Sequence, residues 1–549
     1  MTNIWNSLKQ EIASVLDVDA SEIEEPEKYG DLAFPCFILS KKLKKNPNDI
    51  AKDIASKVKL DMLSKVDAIG PYVNFYVDWS KFGHKLLDVI DDDYGSTKGS
   101  GIVMMDVFQA NPFKSFHIGH IKNAATGEAL RRMLEKTGKK TITVNFNGDI
   151  GIHVARWLLY YNKFCNNEIP EDFTRFSGEV YAKSAQMAKE DLEFEKEAQE
   201  LNRKLESGDE MLTKKWKKLR DICYKDIDRI KNELCVKVDA MIPESECVEP
   251  GKKIVKDLFE KGNLVESEGA IGIDMEKNGL GFFILLKTDG TAIYATKDIG
   301  LLKIKQDRYK FDRMIYVVGS EQNFYFKQLF NAFDILGLYS KEKIKHVSHG
   351  IVTLKEGKMA SRLGNVITYD ELIKIMNKKA LDDIEAKNPQ LENKKDTARK
   401  IALGAIMFQM LDTENNKSIK FDWDDALDTQ GRSGPYLQYS YVRALNIIKQ
   451  EKTEEYDTSF LKEDAEMELL KKIAKFPEVI INATSNYSPN VIANYLFELS
   501  QNFNSFYQSI QVLKAEENSK KARLKLVEAF CKTMKSGMHL LNIPVIEKM

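Results

Sequence analysis

Two histidines three residues apart, His117 and His120, open a helical pattern in the stretch Asn111-Pro-Phe-Lys-Ser-Phe-His-Ile-Gly-His120. An apolar run, Ile102 to Val107, precedes this stretch, and a strongly helical one, Asn123 to Lys136, follows it. A strand feeding a loop that opens a helix gathers unpaired backbone N–H groups at the positive end of the helix dipole, which suits a phosphate. Both imidazoles would lie on one face of the opening turn and could donate to a charged oxygen. Gly119 between them leaves room for a flat adenine against the backbone. The residue chemistry therefore points to a nucleotide, although the same spacing also suits a pair of capping or surface histidines.

Two further groups carry chemistry. In Gly290-Thr-Ala-Ile-Tyr294-Ala-Thr-Lys-Asp298 the tyrosine and the aspartate stand four apart at a strand-to-helix junction, so on a helical turn they share a face. A guanidinium wants a carboxylate fork and stacks on an aromatic ring, and this pair offers both; a surface aspartate and a core tyrosine are the plain alternative. Farther along, Lys358 and Arg362 flank Met-Ala-Ser361 ahead of Gly364. That pattern reads as a basic loop able to close on a leaving pyrophosphate, or as a solvated basic turn.

Taken together, these motifs resemble a known family. His117-Ile-Gly-His120 resembles the first signature of class I aminoacyl-tRNA synthetases, and Lys358-Met-Ala-Ser-Arg362 resembles their second, in the right order. Asn111 and Lys114 resemble the arginyl-tRNA synthetase form of the first loop, and Tyr294 to Asp298 matches that family's Y-x-T-[RK]-D segment. Asn147-Gly-Asp149-Ile-Gly151-Ile-His153 is similar to its GDxGxQ segment, with His153 where glutamine is commoner. Gly434-Pro-Tyr-Leu-Gln-Tyr-Ser-Tyr-Val-Arg443 resembles the entry to its anticodon-binding bundle, and Leu540 to Met549 its characteristic end.

The resemblance implies ligation of L-arginine to tRNA(Arg) with ATP, which arrives with Mg²⁺ as a substrate; no structural metal is implied. It assigns His117, His120 and Lys358 to catalysis, and these together with Gly119, Ser361 and Arg362 to ATP. Asp106, Asn111, Tyr294, Asp298 and Gln322 are assigned to arginine, and Tyr436, Gln438, Tyr441 and Arg443 become candidate tRNA contacts. Monomeric state and a requirement for tRNA before arginine is activated are further family expectations. A small-molecule nucleotidylyltransferase would share the histidine loop without needing Gly434 to Arg443. A synthetase-like RNA binder would be expected to lack His117, His120 or Lys358.

Composition bounds the rest. A chain of 549 residues is too long for one core and suggests three or four domains. Its formal net charge of -1 gives no global attraction to nucleic acid, so RNA contacts must rest on local patches. The six cysteines include no C-x-x-C pair and read as reduced thiols. No long apolar run occurs, so the expectation is a soluble, cytoplasmic protein without a membrane segment.

Alternating apolar and helical runs from Ile102 predict parallel β-α units, with strands at Thr141 to Phe146 and Met314 to Val318, the last well-marked one. The expected fold class is α/β: a Rossmann-like catalytic domain over residues 100–370 with a charged helical insertion at about 157–265. A small α/β tRNA-binding module precedes it over 1–95, and an all-α anticodon-binding domain follows over 371–549. The first module carries seven lysines against two aspartates between Lys41 and Lys59. That is an ordinary solvated face or, through the resemblance, an RNA contact.

Overall fold

The computed structural model describes residues 3–166, 168–355 and 367–549, which divide into two compact units. One unit, residues 99–427 with 487–490, is built on a five-stranded, wholly parallel sheet. In spatial order its strands are Ile344–His349, Arg313–Gly319, Ile102–Asp106, Lys140–Asn147 and Ala240–Pro243. Read by chain order this is 3-2-1-4-5 from the other edge, the doubly wound arrangement whose switch point falls between the first and fourth strands. The carboxyl ends of Ile102–Asp106 and Arg313–Gly319, where Asp106 stands opposite Tyr316, are therefore where a ligand belongs.

The structure corrects the sequence reading at two places. Ala240–Pro243 lies inside the stretch expected to be a helical insertion, yet it is an edge strand of the main sheet, too short at four residues to leave a periodic signal. Ile344–His349 extends the sheet past Met314 to Val318, the last strand that the pattern marks well. Ala270–Asp274 pairs antiparallel with both Val265–Ser267 and Phe282–Leu286 in a separate small sheet that adds nothing to the parallel one.

Helix packing sets the site. The helix Ile118–Lys136 is buried along most of its length because Ala124, Ala125, Gly127 and Ala129 leave little side chain between it and its neighbours. Two of its buried polar side chains bond across that contact: Asn123 donates to the Val317 carbonyl and Lys122 to the Met410 carbonyl. The helices Glu244–Glu260 and Tyr294–Arg308 cross at two glycines. A Cβ on Gly251 would stand 2.0 Å from the Thr296 carbonyl oxygen, and one on Gly300 would stand 2.0 Å from that of Cys247. Any larger residue would push apart the two helices that carry Glu244 and Asp298.

The insertion is helical as expected, in Phe173–Glu190, Leu192–Glu206 and Glu210–Glu233. Asp191 breaks the first two by capping the second. The second unit joins residues 1–98 to 428–486 and 491–549. Its antiparallel strands Leu32–Pro35, Tyr72–Val77 and Leu63–Ile69 are covered by short helices and tied to the carboxyl-terminal helices. Lys9 bridges Glu25 and Glu478 at 3.1 Å each, and the buried Tyr94 hydroxyl donates to the Ile473 carbonyl. No helix among the described residues is long and apolar enough to cross a membrane.

Candidate active site

His117 is the N-cap of the helix Ile118–Lys136, and His120 occupies its third position. His117 Nδ1 accepts the Gly119 N–H at 3.1 Å, and His120 Nδ1 accepts the His117 N–H at 3.1 Å. The capping alternative is therefore correct, and it serves the other reading. A neutral imidazole that accepts through Nδ1 carries its proton on Nε2, so each ring presents one N–H donor to an anion at the helix end. Burial, then the charge of Lys114, pushes the His117 imidazolium down to about 4. His120 is lowered well below its ordinary value, first by burial. Both rings are thus neutral donors near pH 7.

The turn is braced from behind. The His120 ring stacks on Phe116 at 5.0 Å, and Phe116 meets the edge of Tyr369. Lys358, Ser361 and Arg362 lie outside the described residues. The chain re-enters at Ile367, whose carbonyl accepts the Ile118 N–H at 3.1 Å, while Thr368 forms a bridge with His117. Ile367 and Thr368 are thereby held beside the histidine turn.

At the switch point a cavity of about 650 Å³ is lined by Asp106, Asn111, Tyr294, Asp298 and Gln322, all five of the arginine candidates. Tyr294 and Asp298 stand one turn apart at the start of the helix Tyr294–Arg308, Tyr294 exposed at 63% and Asp298 buried at 6%. Gln322 closes a short turn after Arg313–Gly319. Asn111 works through the backbone: its Oδ1 accepts the Gly148 N–H at 2.5 Å, locking the histidine loop to the next strand's loop. His153 Nε2–H donates to the Gly148 carbonyl at 3.2 Å, so it closes its own loop while lining the cavity.

The charges divide unevenly. Asp106 is paired with Lys305, each side chain 1% exposed. Its Oδ1 has no hydrogen-bond partner among the described residues. Glu244 is paired with Lys297 at 2.5 Å. Asp298 forms no ion pair among the described residues and accepts only from the Tyr325 hydroxyl. Burial, with Asp106 adding to it, pushes its carboxyl up to about 7 against the Tyr325 hydrogen bond and Lys305. A buried carboxyl lacking a bonded counter-ion has the chemistry to receive a cation.

Glu244, Lys305 and Tyr325 escape sequence reasoning. Glu244 follows the unrecognised strand, and Lys305 and Tyr325 lie two turns past Asp298 and three residues past Gln322, where nothing in the sequence marks their distant partners. Asp149 stands in the sequence only as part of a motif. Its side chain is fully buried and accepts from Ser245 N–H, Ser245 Oγ and Arg220, and Arg220 lies over Trp216 and Tyr224 of the insertion. Among the described residues no three His, Cys, Asp or Glu side chains gather as metal ligands.

In the other unit the structure corrects two tRNA candidates. Gln438 is wholly buried and donates to the Pro544 carbonyl, and Tyr441 is buried as well, so both hold the bundle together. Tyr436 and Arg443 reach the surface, and Arg443 lies between the rings of Tyr439 and Tyr507, at 4.6 and 4.7 Å. Tyr439, one position from the expected residues, and Tyr507 are exposed rings on this face.

Known proteins match along the whole chain. The profile described as tRNA synthetases class I (R), catalytic domain, matches residues 89–423; the DALR anticodon binding domain matches 437–549; and the arginyl tRNA synthetase N terminal domain matches 2–77. The chain is 36% identical to the arginine–tRNA ligase of Clostridium kluyveri, covering 99% of this chain and 98% of that one. It is also 36% identical to that of Clostridium beijerinckii, over 97% of each. The solved arginyl-tRNA synthetase of Thermus thermophilus superposes with a TM-score of 0.83 at 26% identity, covering 99% of both chains. With histidine turn, cavity and full-length matches agreeing, the chain belongs to the arginyl-tRNA synthetases.

Proposed function

We propose that this chain joins L-arginine to tRNA(Arg) in two steps at the cavity described above. The substrate carboxylate attacks the α-phosphate of Mg-ATP, forming arginyl-AMP as the bond to pyrophosphate breaks. The 2′-hydroxyl of the terminal adenosine then attacks the carbonyl carbon, and AMP leaves. Neither step calls for a protein nucleophile, so the chain contributes position and charge. His117 and His120 donate through Nε2–H to phosphate oxygens at the helix end, and Lys358, Ser361 and Arg362 act on the leaving pyrophosphate.

Asp298 receives the guanidinium fork, the exposed Tyr294 ring covers it, and Asn111 and Gln322 bound the backbone end of the amino acid. The observation that carries this reading is that buried Asp298 forms no ion pair among the described residues, in a cavity whose other two buried carboxylates are already paired. Tyr436 and Arg443, with Tyr439 added, are the RNA-facing groups of the helical unit. A cytoplasmic monomer belongs to the same reading. The experiment is aminoacylation of total tRNA with each labelled amino acid: arginine alone should be charged, and charging of another would overturn the assignment.

A further inference from the structure

We propose that Lys305 is a specificity-determining residue for arginine: by pairing with Asp106 on the cavity wall it reduces the charge of Asp106 and Asp298 together to one net negative, the count that one guanidinium satisfies. The inference rests on the arginine reading of the cavity.

Both carboxylates line the same space. Lys305 reaches Asp106 from the helix that also carries Asp298, two turns earlier, and its ammonium lies 4.5 Å from the centre of the Tyr316 ring. Asp298 is faced by Asp106 and Tyr316 from the sheet, by Lys305 from its own helix, by Tyr325, and by Glu244 and Cys247 from the crossing helix. Glu244 also raises the Asp298 carboxyl, but it brings its own counter-ion, Lys297, so that pair adds no net charge and the net count is set by Asp106, Lys305 and Asp298. Without the lysine, two buried carboxylates would share the wall and could not both ionise at neutral pH. With the lysine but without Asp106, the ammonium would neutralise Asp298 and repel the substrate. Asp106 Oδ1 and the Tyr316 hydroxyl, both buried without a hydrogen-bond partner, leave polar capacity on this wall for the remaining guanidinium N–H groups.

The test compares binding of L-arginine and L-citrulline, whose ureido group keeps the shape and drops the charge, by titration calorimetry on the full-length chain. Asp106→Asn should cut the preference for arginine by roughly tenfold to a hundredfold, because the unpaired ammonium then opposes the substrate. The double variant Lys305→Met/Asp106→Asn restores one net negative charge and should recover the preference to within a few-fold of the parent. Lys305→Met alone should move the pH midpoint of arginine binding upward by about one unit or more. An unchanged preference in Asp106→Asn overturns the proposal. So does a folded double variant as poor as the single one, or an unmoved midpoint in folded Lys305→Met. If Lys305→Met does not fold, the other two variants decide. A parent chain that binds arginine no better than citrulline would instead overturn the arginine reading, and the charge count with it.

Discussion

His117 and His120 cap one helix reciprocally, each accepting a backbone N–H through Nδ1, at 3.1 Å in both cases. The same bonds that close the helix end fix the tautomer that presents Nε2–H outward. The capping bonds and the proposed phosphate contacts use different ring atoms, so substitution can separate the two.

His120→Ala removes both atoms. It should lower kcat by roughly a hundredfold or more while changing the KM for ATP much less, and it should lower the melting temperature through loss of a capping bond worth about 1 kcal/mol. His120→Asn keeps an acceptor within reach of the His117 N–H but nothing at the Nε2 position. Its melting temperature should recover and its kcat should not. Wild-type kcat in His120→Ala would remove the histidine turn from the chemistry.

With the Asp298 carboxyl pushed up to about 7, mainly by burial, the proposed arginine site should be pH-dependent. The guanidinium favours the ionised carboxylate, so the bound-state value is lower than the free one, and at pH 7 and just below it binding releases a proton. Affinity should be constant above about pH 8 and decline by up to about tenfold per unit below pH 7. Calorimetry in buffers of different ionisation enthalpy reads the released proton directly; no buffer dependence at pH 7 would place the cation elsewhere.

Asp298→Asn keeps the shape and removes the charge. Arginine affinity should fall by about 2 to 5 kcal/mol, with ATP affinity nearly unchanged. Equal losses for both ligands would mark Asp298 as a structural residue.

Arg220→Ala strips the cation from fully buried Asp149 and leaves it only the two Ser245 bonds. The expected cost is about 3 kcal/mol, at the low end for a broken buried pair because those bonds remain. Since Gly148 beside Asp149 is bonded to Asn111, kcat should fall with stability. A folded variant of unchanged melting temperature would contradict this account of the brace.

The histidine turn, the one-turn spacing of Tyr294 and Asp298 and the alternation of strand and helix are legible in the amino-acid sequence, because each depends on residues close together in the chain and so shows in local periodicity and spacing. What escapes depends on distant partners. A four-residue edge strand, Ala240–Pro243, carries too little alternation to stand out among charged helices, and Glu244 is lost with it. The Lys305 partner of Asp106 lies 199 positions away, and no pattern in one sequence pairs them. Gln438 and Tyr441 belong to a motif whose spacing fits either face of a helix; only packing shows that they point inward.

The most direct measurement is ATP–pyrophosphate exchange by the intact chain with each amino acid in turn, with and without total tRNA. If tRNA favours a competent arrangement that the free chain rarely adopts, exchange should be negligible without it and appear with arginine alone when it is present. Robust arginine-dependent exchange without tRNA would contradict that coupling, and exchange driven by any other amino acid would contradict the assignment of the cavity to arginine.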